Sequence, residues 1–359
     1  MFAVTLRKGL LLCSVATAAS MAGGLPLNAQ EASKSEDVPI RTLHVYANLI
    51  QVPTLVLSSS RKPIASIAAD RFMVSVDSGP KFRATHVRRE GDDPISLAIL
   101  LDARGPMDDV LRKVDDAIAD LAPLSLRARD HVSVYALDCS LIRSLNDAPV
   151  NQDILKREVK AVLQDWGVRK ERKHAPACKS KVQLWDAMGY LVRQLYELPG
   201  RRVILAITDG SDHGSKETWN EVRTMAQSEG VAIFGLVYVP YLGFMRNRNS
   251  GYEEAFNSVC ELTGGMIVTT EKSDVRPVLK DILRDIRGRY IVEFPRPSNS
   301  TVGYHDLLVT IEKSAAFIRP SGVSLPIADP AVLADPTTVP SDPSLAPVQG
   351  TRRVLTNPN

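Results

Sequence analysis

Apolar and polar positions alternate along two stretches of this chain and fall at helical spacing between them. Residues 42–90 read as β, through "TLHVYANLIQVPTLVL", "SSSRKPIASI" and "DRFMVSVDSGPKFRATHVRRE". The alternation in "FMVSVD" and the turn residues of "DSGP" predict a strand and a hairpin. The rhythm then changes. "ISLAILLD" is a continuous apolar run, as expected of a strand covered on both faces. "MDDVLRKVDDAIADLAPL" puts Val110, Leu111, Val114, Ala117, Ile118 and Leu121 on one helical face, with acids in the first turn to suit the helix dipole. Further strands are predicted at "DHVSVYALD", "RRVILAITDG", "VAIFGLVYV" and "MIVTT". Helices are predicted at "QDILKREVKAVLQDW", "VQLWDAMGYLVRQLYEL", "SKETWNEVRTMAQSEG" with Gly230 as C-terminal cap, "YEEAFNSVCELTGG", and "DVRPVLKDILRDIRG", interrupted early by Pro277. From Arg289 the β pattern returns in "RYIVEFP", "HDLLVTIEK" and "AFIRP".

Strands alternating with helices at this spacing predict βαβ crossovers. The fold class is therefore α/β: a doubly wound, mainly parallel sheet with helices on both faces. The β segments on either side predict a small sandwich into which the α/β unit is inserted; the alternative is that they extend the edge of the main sheet. The expected organisation is a signal peptide (1–29), a flexible linker (30–41), the first β-sandwich segment (42–92), the α/β domain (93–288), the second β-sandwich segment (289–322) and a disordered, proline-rich tail (323–359).

The signal peptide rests on Arg7 and Lys8, an apolar stretch, then small residues up to Ala29, after which cleavage is expected. "LLLC" around Cys13 lacks the small residue that lipoprotein signals carry. The expected product is an exported protein, periplasmic or secreted, with no transmembrane segment after cleavage, since no other apolar run approaches the roughly 18–20 residues that span a bilayer. A net charge of +3 over 359 residues does not argue for nucleic acid. The basic clusters "RKERKH" (169–174) and "RNRN" (246–249) read as solvated loops. The six histidines are scattered with no paired ligand spacing, and the cysteines left after cleavage, Cys139, Cys178 and Cys260, form no CxxC. A zinc site has no support.

Ligands in open α/β sheets bind outside the carboxyl ends of the strands, and two such ends carry aspartates: Asp102 in "AILLDARGP" and Asp209 in "ILAITDGSD". No GxGxxG or P-loop follows the first strand. "ITDGSDHGS" offers Asp209, Ser211, Asp212, His213 and Ser215, which invites a hydrolase reading, but no GxSxG elbow is present. The plainer reading is a polar loop capping the next helix through Ser215.

A strand ending in Asp, a helix, "LWDAMGYLV" and "RRVILAITDGSDHGS" together resemble the von Willebrand factor A domain. More narrowly, with "ASIAADRFMVSVDSGPKFRATHV" before it and "GRYIVEF" after it, the chain is similar to the exported acidobacterial VWFA-related domain proteins, over about residues 42–322. The resemblance implies a non-enzymatic protein-interaction or adhesion module, with an unidentified envelope or extracellular protein as partner. It also implies a metal-ion-dependent adhesion site, built from D-x-S-x-S, a threonine and a second Asp, whose oxygens suit Mg²⁺. Carried over, Asp102 and Asp209 match the aspartates. The serine positions hold Arg104 and Pro106, and the threonine position falls on Val182, with Ser180 two residues off register. Proline and valine offer no oxygen, and a guanidinium accepts nothing. The site therefore reads as degenerate, with no metal and no cofactor expected, and Arg104 is expected to pair with Asp102 or Asp209 in the metal's place. The alternatives are weak residual Mg²⁺ binding, or a hydrolase using Asp209, Asp212 and His213. An interaction face at this end would include Arg104, Met107, Asp212 and His213. In this fold Cys139 and Cys178 belong at the same end of the sheet, so a disulfide between them is expected, with Cys260 a buried small apolar residue.

Overall fold

A computed structural model describes residues 45–47, 49–64, 66–91, 93–104, 107–171, 182–212, 214–238, 251–297, 303–321 and 323–325, with 334, 338–340, 344 and 346–350. Strands β1 to β5 are Val45–Ala47, Leu49–Leu57, Phe72–Val76, Phe82–Arg83 and His86–Arg89. Strands β6 to β11 are Ile95–Asp102, His131–Leu137, Leu141–Pro149, Arg201–Thr208, Ala232–Tyr238 and Ile267–Thr270. Strands β12 to β17 are Tyr290–Pro295, Gly303–His305, Leu307–Ile311, Phe317–Pro320, Val323–Leu325 and Thr338–Pro340.

The six-stranded central sheet has the order β11-β10-β9-β6-β7-β8 and is parallel except for β8, which pairs antiparallel with β7. Every residue of β6 is buried, as its unbroken apolar run requires. Successive side chains point to opposite faces. Ile99 and Leu101 of β6 enter one core with Val134 and Leu205, under the helices Gln152–Val162 and Arg276–Arg287. Ala98 and Leu100 enter the other with Tyr135 and Ile204, under the helices Leu184–Tyr196, Trp219–Ser228 and Gly251–Leu262. Each fully buried aliphatic side chain contributes roughly 1.5–3 kcal/mol by leaving water.

The flanking segments pair with each other. β2 lies between β12 and β15, and β3 pairs with β14, all antiparallel. The two sheets, β15-β2-β12-β5 and β14-β3-β4, enclose a third core holding Val52, Phe72, Val74, Tyr290, Phe294 and Val309. The α/β unit is thus inserted in a small β-sandwich. Leu55 and Leu57 of β2 reach past it into the α/β core.

Several local expectations are corrected. β8 was not foreseen. The single helix expected from Met107 is three short ones, Asp108–Leu111, Val114–Ala119 and Leu121–Leu124, broken first at Lys113, whose φ of −125° and ψ of −1° leave the helical region. Pro277 does not interrupt its helix; it lies in the first turn, where a missing N–H costs nothing. Gly230 has φ +63° just past the Trp219–Ser228 helix, as a C-terminal cap requires. In the tail, expected to be disordered from residue 323, the described stretches include two short paired strands. β16 pairs with β13, β17 runs parallel to β1, and the Gly350 N–H donates to the Val76 carbonyl at 3.0 Å. Short runs such as "VSL" and "TVP" sit among prolines and aspartates, so composition alone hides their pairing. Residues 1–44, including the expected signal peptide, lie outside the described residues. Among the described residues no helix is long and apolar enough to cross a membrane.

Candidate functional site at the strand ends

Because β6 and β9 are parallel neighbours, their carboxyl ends place Asp102 beside Thr208 and Asp209. Asp102 closes β6 with no exposure to solvent. Its Oδ1 accepts the Arg104 backbone N–H at 3.2 Å and Arg104 Nε at 2.9 Å. Its Oδ2 accepts Arg104 Nη2 at 2.8 Å and the Thr208 hydroxyl at 2.7 Å. A carboxylate has about four lone-pair sites. All four are used.

The Arg104 guanidinium reaches further, to the Gln183 side-chain oxygen and to the Ser211 carbonyl at 3.2 Å. Burial works against its charge, but the bond to Asp102 and the fields of Asp102, Asp209 and Asp212 outweigh that and raise its pKa. Gln183 precedes the Leu184–Tyr196 helix, so one cation ties the ends of β6 and β9 to the start of that helix. Of the other metal-site positions, Val182 is half-buried against the second core, and Pro106 lies outside the described residues. Among the described residues no group of three or more His, Cys, Asp or Glu is placed to hold a metal ion.

The loop after β9 is built for capping. Asp212 Oδ1 accepts the Trp185 N–H at 3.3 Å and the Ser215 hydroxyl at 2.6 Å, and its Oδ2 accepts the N–H groups of Gly214 and Ser215. Ser215 Oγ accepts the N–H groups of Trp185 and Asp186 at 3.1 and 3.2 Å. Ser215 therefore caps the preceding helix, Leu184–Tyr196. The next helix is capped by Thr218, in a capping box with Glu221. Burial raises the pKa of Asp212, but its bonds from Ser215, Trp185 and Gly214 win, and the net shift is downward. Asp209 Oδ1 accepts the Ser211 N–H at 2.9 Å.

The residues expected on an interaction face differ in exposure. Met107 is fully buried in the first core and Asp212 is 8% exposed, so neither forms an outer face. The Arg104 side chain keeps 18% exposure, and His213 lies outside the described residues. A second cation belongs to this end. Arg169 forks onto both oxygens of Asp138 and donates to Cys139 Sγ at 3.0 Å. Cys139 is disulfide-bonded; Cys178, its expected partner, lies outside the described residues. Cys260 is free and buried, and burial pushes its thiol pKa well up.

Thr208, Gln183 and Asp138 were not singled out from the sequence; Arg169 was read as the start of a solvated basic loop, and it instead ends the helix Gln164–Glu171 and pairs with Asp138. Thr208 stands in the T-D-G motif itself, and Gln183 stands one place from the threonine position, so both carried a readable signal.

No protein-family model and no curated protein matches the chain. Among solved structures the chain is similar to the conserved hypothetical protein BatB from Bacteroides thetaiotaomicron, at 17% identity over 54% of this chain and 98% of that one, with a TM-score of 0.39. It is similar to proximal thread matrix protein 1 from the mussel byssus, at 11% identity over 58% of this chain and 49% of that one, TM-score 0.41. It is also similar to the pilus adhesin SpaC from Lactobacillus rhamnosus GG, at 9% identity over 73% of this chain and 48% of that one, TM-score 0.40. The matched region spans about half the length of the last two. The β6 end at Asp102, the Leu184–Tyr196 helix and the β9 end at Thr208 meet at one end of the six-stranded sheet, in the order that the sequence resemblance implies.

Proposed function

We propose that the chain is an exported, non-enzymatic protein-interaction module whose strand-end site works without a divalent cation. The observation that carries this reading is the full set of bonds on Asp102. A hard cation such as Mg²⁺ needs carboxylate lone pairs and open positions. Here the lone pairs are spent on Arg104 and Thr208, and a guanidinium fixed at 2.8–2.9 Å would repel the ion. The residues do not fit the metal. Arg104 instead holds the strand ends and the helix start together, the role a shared ion performs elsewhere. The degenerate site is thus a rigid platform in which the Arg104 charge is balanced by Asp102.

The hydrolase reading loses support at Asp212. A carboxylate bonded to three N–H groups and a hydroxyl, with a lowered pKa, is a weak base and has no spare lone pair for a substrate proton.

Titration calorimetry of the full chain with MgCl₂ and MnCl₂ tests the metal. No saturable heat is expected, and binding tighter than about 100 μM would overturn the reading. The interaction role is tested by cross-linked pull-down from the native envelope or medium, comparing the parent with Ser211→Trp, which sets a ring over the Arg104 platform. A partner retained by the parent and lost with the variant supports the strand-end face. Equal retention places the contact elsewhere.

A further inference from the structure

A second cleft lies at the opposite, amino-terminal ends of the strands, roughly 25 Å from Asp209 at about 3.3 Å per residue along β9. Its volume is about 690 Å³, and Arg201, Arg202, Arg289 and Arg296 all line it. Small-molecule sites typically span roughly 300–1,000 Å³. Arg201 and Arg202 open β9 directly after Gly200, whose φ of +80° and close approach to the Pro94 carbonyl exclude a side chain there. Arg289 and Arg296 flank β12.

Three of these guanidinium groups are fixed in advance. Arg289 is buried, forks onto Glu90 at 2.7 and 2.9 Å, and lies over the Phe234 ring at 6.0 Å. Arg201 is held by Asp93 at 3.2 Å and by the Gln51 side-chain oxygen at 3.3 Å. Arg202 differs. Its Nε donates to the Leu198 carbonyl at 3.0 Å and its Nη1 to the Glu229 carbonyl at 2.9 Å, and no carboxylate among the described residues pairs with it. Neutral carbonyls orient a guanidinium without cancelling its charge. Glu90 and Asp93, which do not line the cleft, offset Arg289 and Arg201, and among the described lining residues Glu229 is the one acid. Tyr196, 55% exposed, stands at the rim with Arg202 5.9 Å from its ring centre.

We propose that this cleft binds a small oxyanion ligand, one carrying phosphate or carboxylate groups, with Arg202 as its principal counter-ion. The cleft is concave, Arg201, Arg202 and Arg289 are held before the ligand arrives, and a charge-assisted fork suits either oxyanion. The site is separate from the Asp102 platform and stands or falls apart from it.

The test is the thermal midpoint and calorimetric affinity of the full chain with sodium phosphate and with sodium citrate, each against NaCl at equal ionic strength. At least one anion is expected to raise the midpoint and bind saturably, and the arm that does so identifies the headgroup. Arg202→Gln is expected to weaken that binding about tenfold or more. Arg223→Gln, on the Trp219–Ser228 helix outside the cleft, is expected to leave it unchanged. Should Arg202→Gln lose its cooperative melt, Ser228→Glu puts a carboxylate on the cleft wall and is expected to abolish binding. The proposal is overturned if neither anion exceeds the NaCl control, or if the folded cleft variants bind like the parent.

Discussion

A carboxylate with no exposure to solvent survives at Asp102 only because every lone pair has a partner. Removing one member of a buried ion pair costs about 3–5 kcal/mol, since the other is stranded. Arg104→Met should therefore lower the free energy of urea unfolding by about that much, and Arg104→Met with Asp102→Leu should recover some of it. Additive losses would show that the two side chains act independently. Asp285 presents the opposite case. Burial pushes its pKa up to about 6, with Asp281 adding to the shift and Arg284, 3.4 Å away, opposing it. The folded state thus holds this proton more tightly than the unfolded chain, whose carboxyl titrates near 3.9. The stability it contributes is complete below about pH 4 and is lost as pH rises through about 6. Asp285→Asn should stabilise the protein at pH 7.5 by roughly 2–3 kcal/mol and change little at pH 4. Chemical denaturation at the two pH values checks this; equal effects at both would contradict the assignment.

At the scale of elements, the loop after β9 organises the helix before it as well as the one after it. Ser215→Ala should cost about 1 kcal/mol. Amide exchange should quicken at Trp185 and Asp186 and stay unchanged in the first turn of Trp219–Ser228, whose Thr218–Glu221 box is untouched. Faster exchange in the latter helix would reverse the assignment. Sequence reading attached Ser215 to the next helix because capping rules are local, whereas its partners lie about thirty residues upstream. The same limit hid β8. "LIRSLNDAP" has no fully buried residue and exposes every third one, Arg143, Asn146 and Pro149, instead of alternating, and it includes Asp147 at φ +44°; its pairing comes from β7, not from its own pattern. What could be read was what periodicity and strand-end chemistry dictate: the largely apolar β6, the helical face of "LWDAMGYLV", and a cation at 104 facing an acid at 102. Met107 was misplaced because its position beside the strand end was weighed above its spacing, which sets it on one helical face with Val110, Leu111 and Val114.

At the scale of the whole molecule, the sandwich is made from both flanks, so neither flank folds without the other. Ending the chain after residue 288 removes both neighbours of β2, one of the two partners of β3, and Arg289, the counter-ion of the buried Glu90. Such a truncation should lack a cooperative thermal transition when followed by circular dichroism, even though the six-stranded sheet is intact in its sequence. A sharp melt would mean that the α/β unit stands alone. The geometry of the outer strands also bears on mechanics. β1 and β17 run parallel, Val45 beside Thr338 and Ala47 beside Pro340. A load that draws residue 45 and residue 340 away from each other along the strands therefore meets these rungs in shear, and they must break together. The antiparallel pairing behind them, where Leu49 faces Pro295, opens from one end and yields rung by rung. For a body tethered at both flanks, the short outer ladder is the latch and the sandwich is the region that gives.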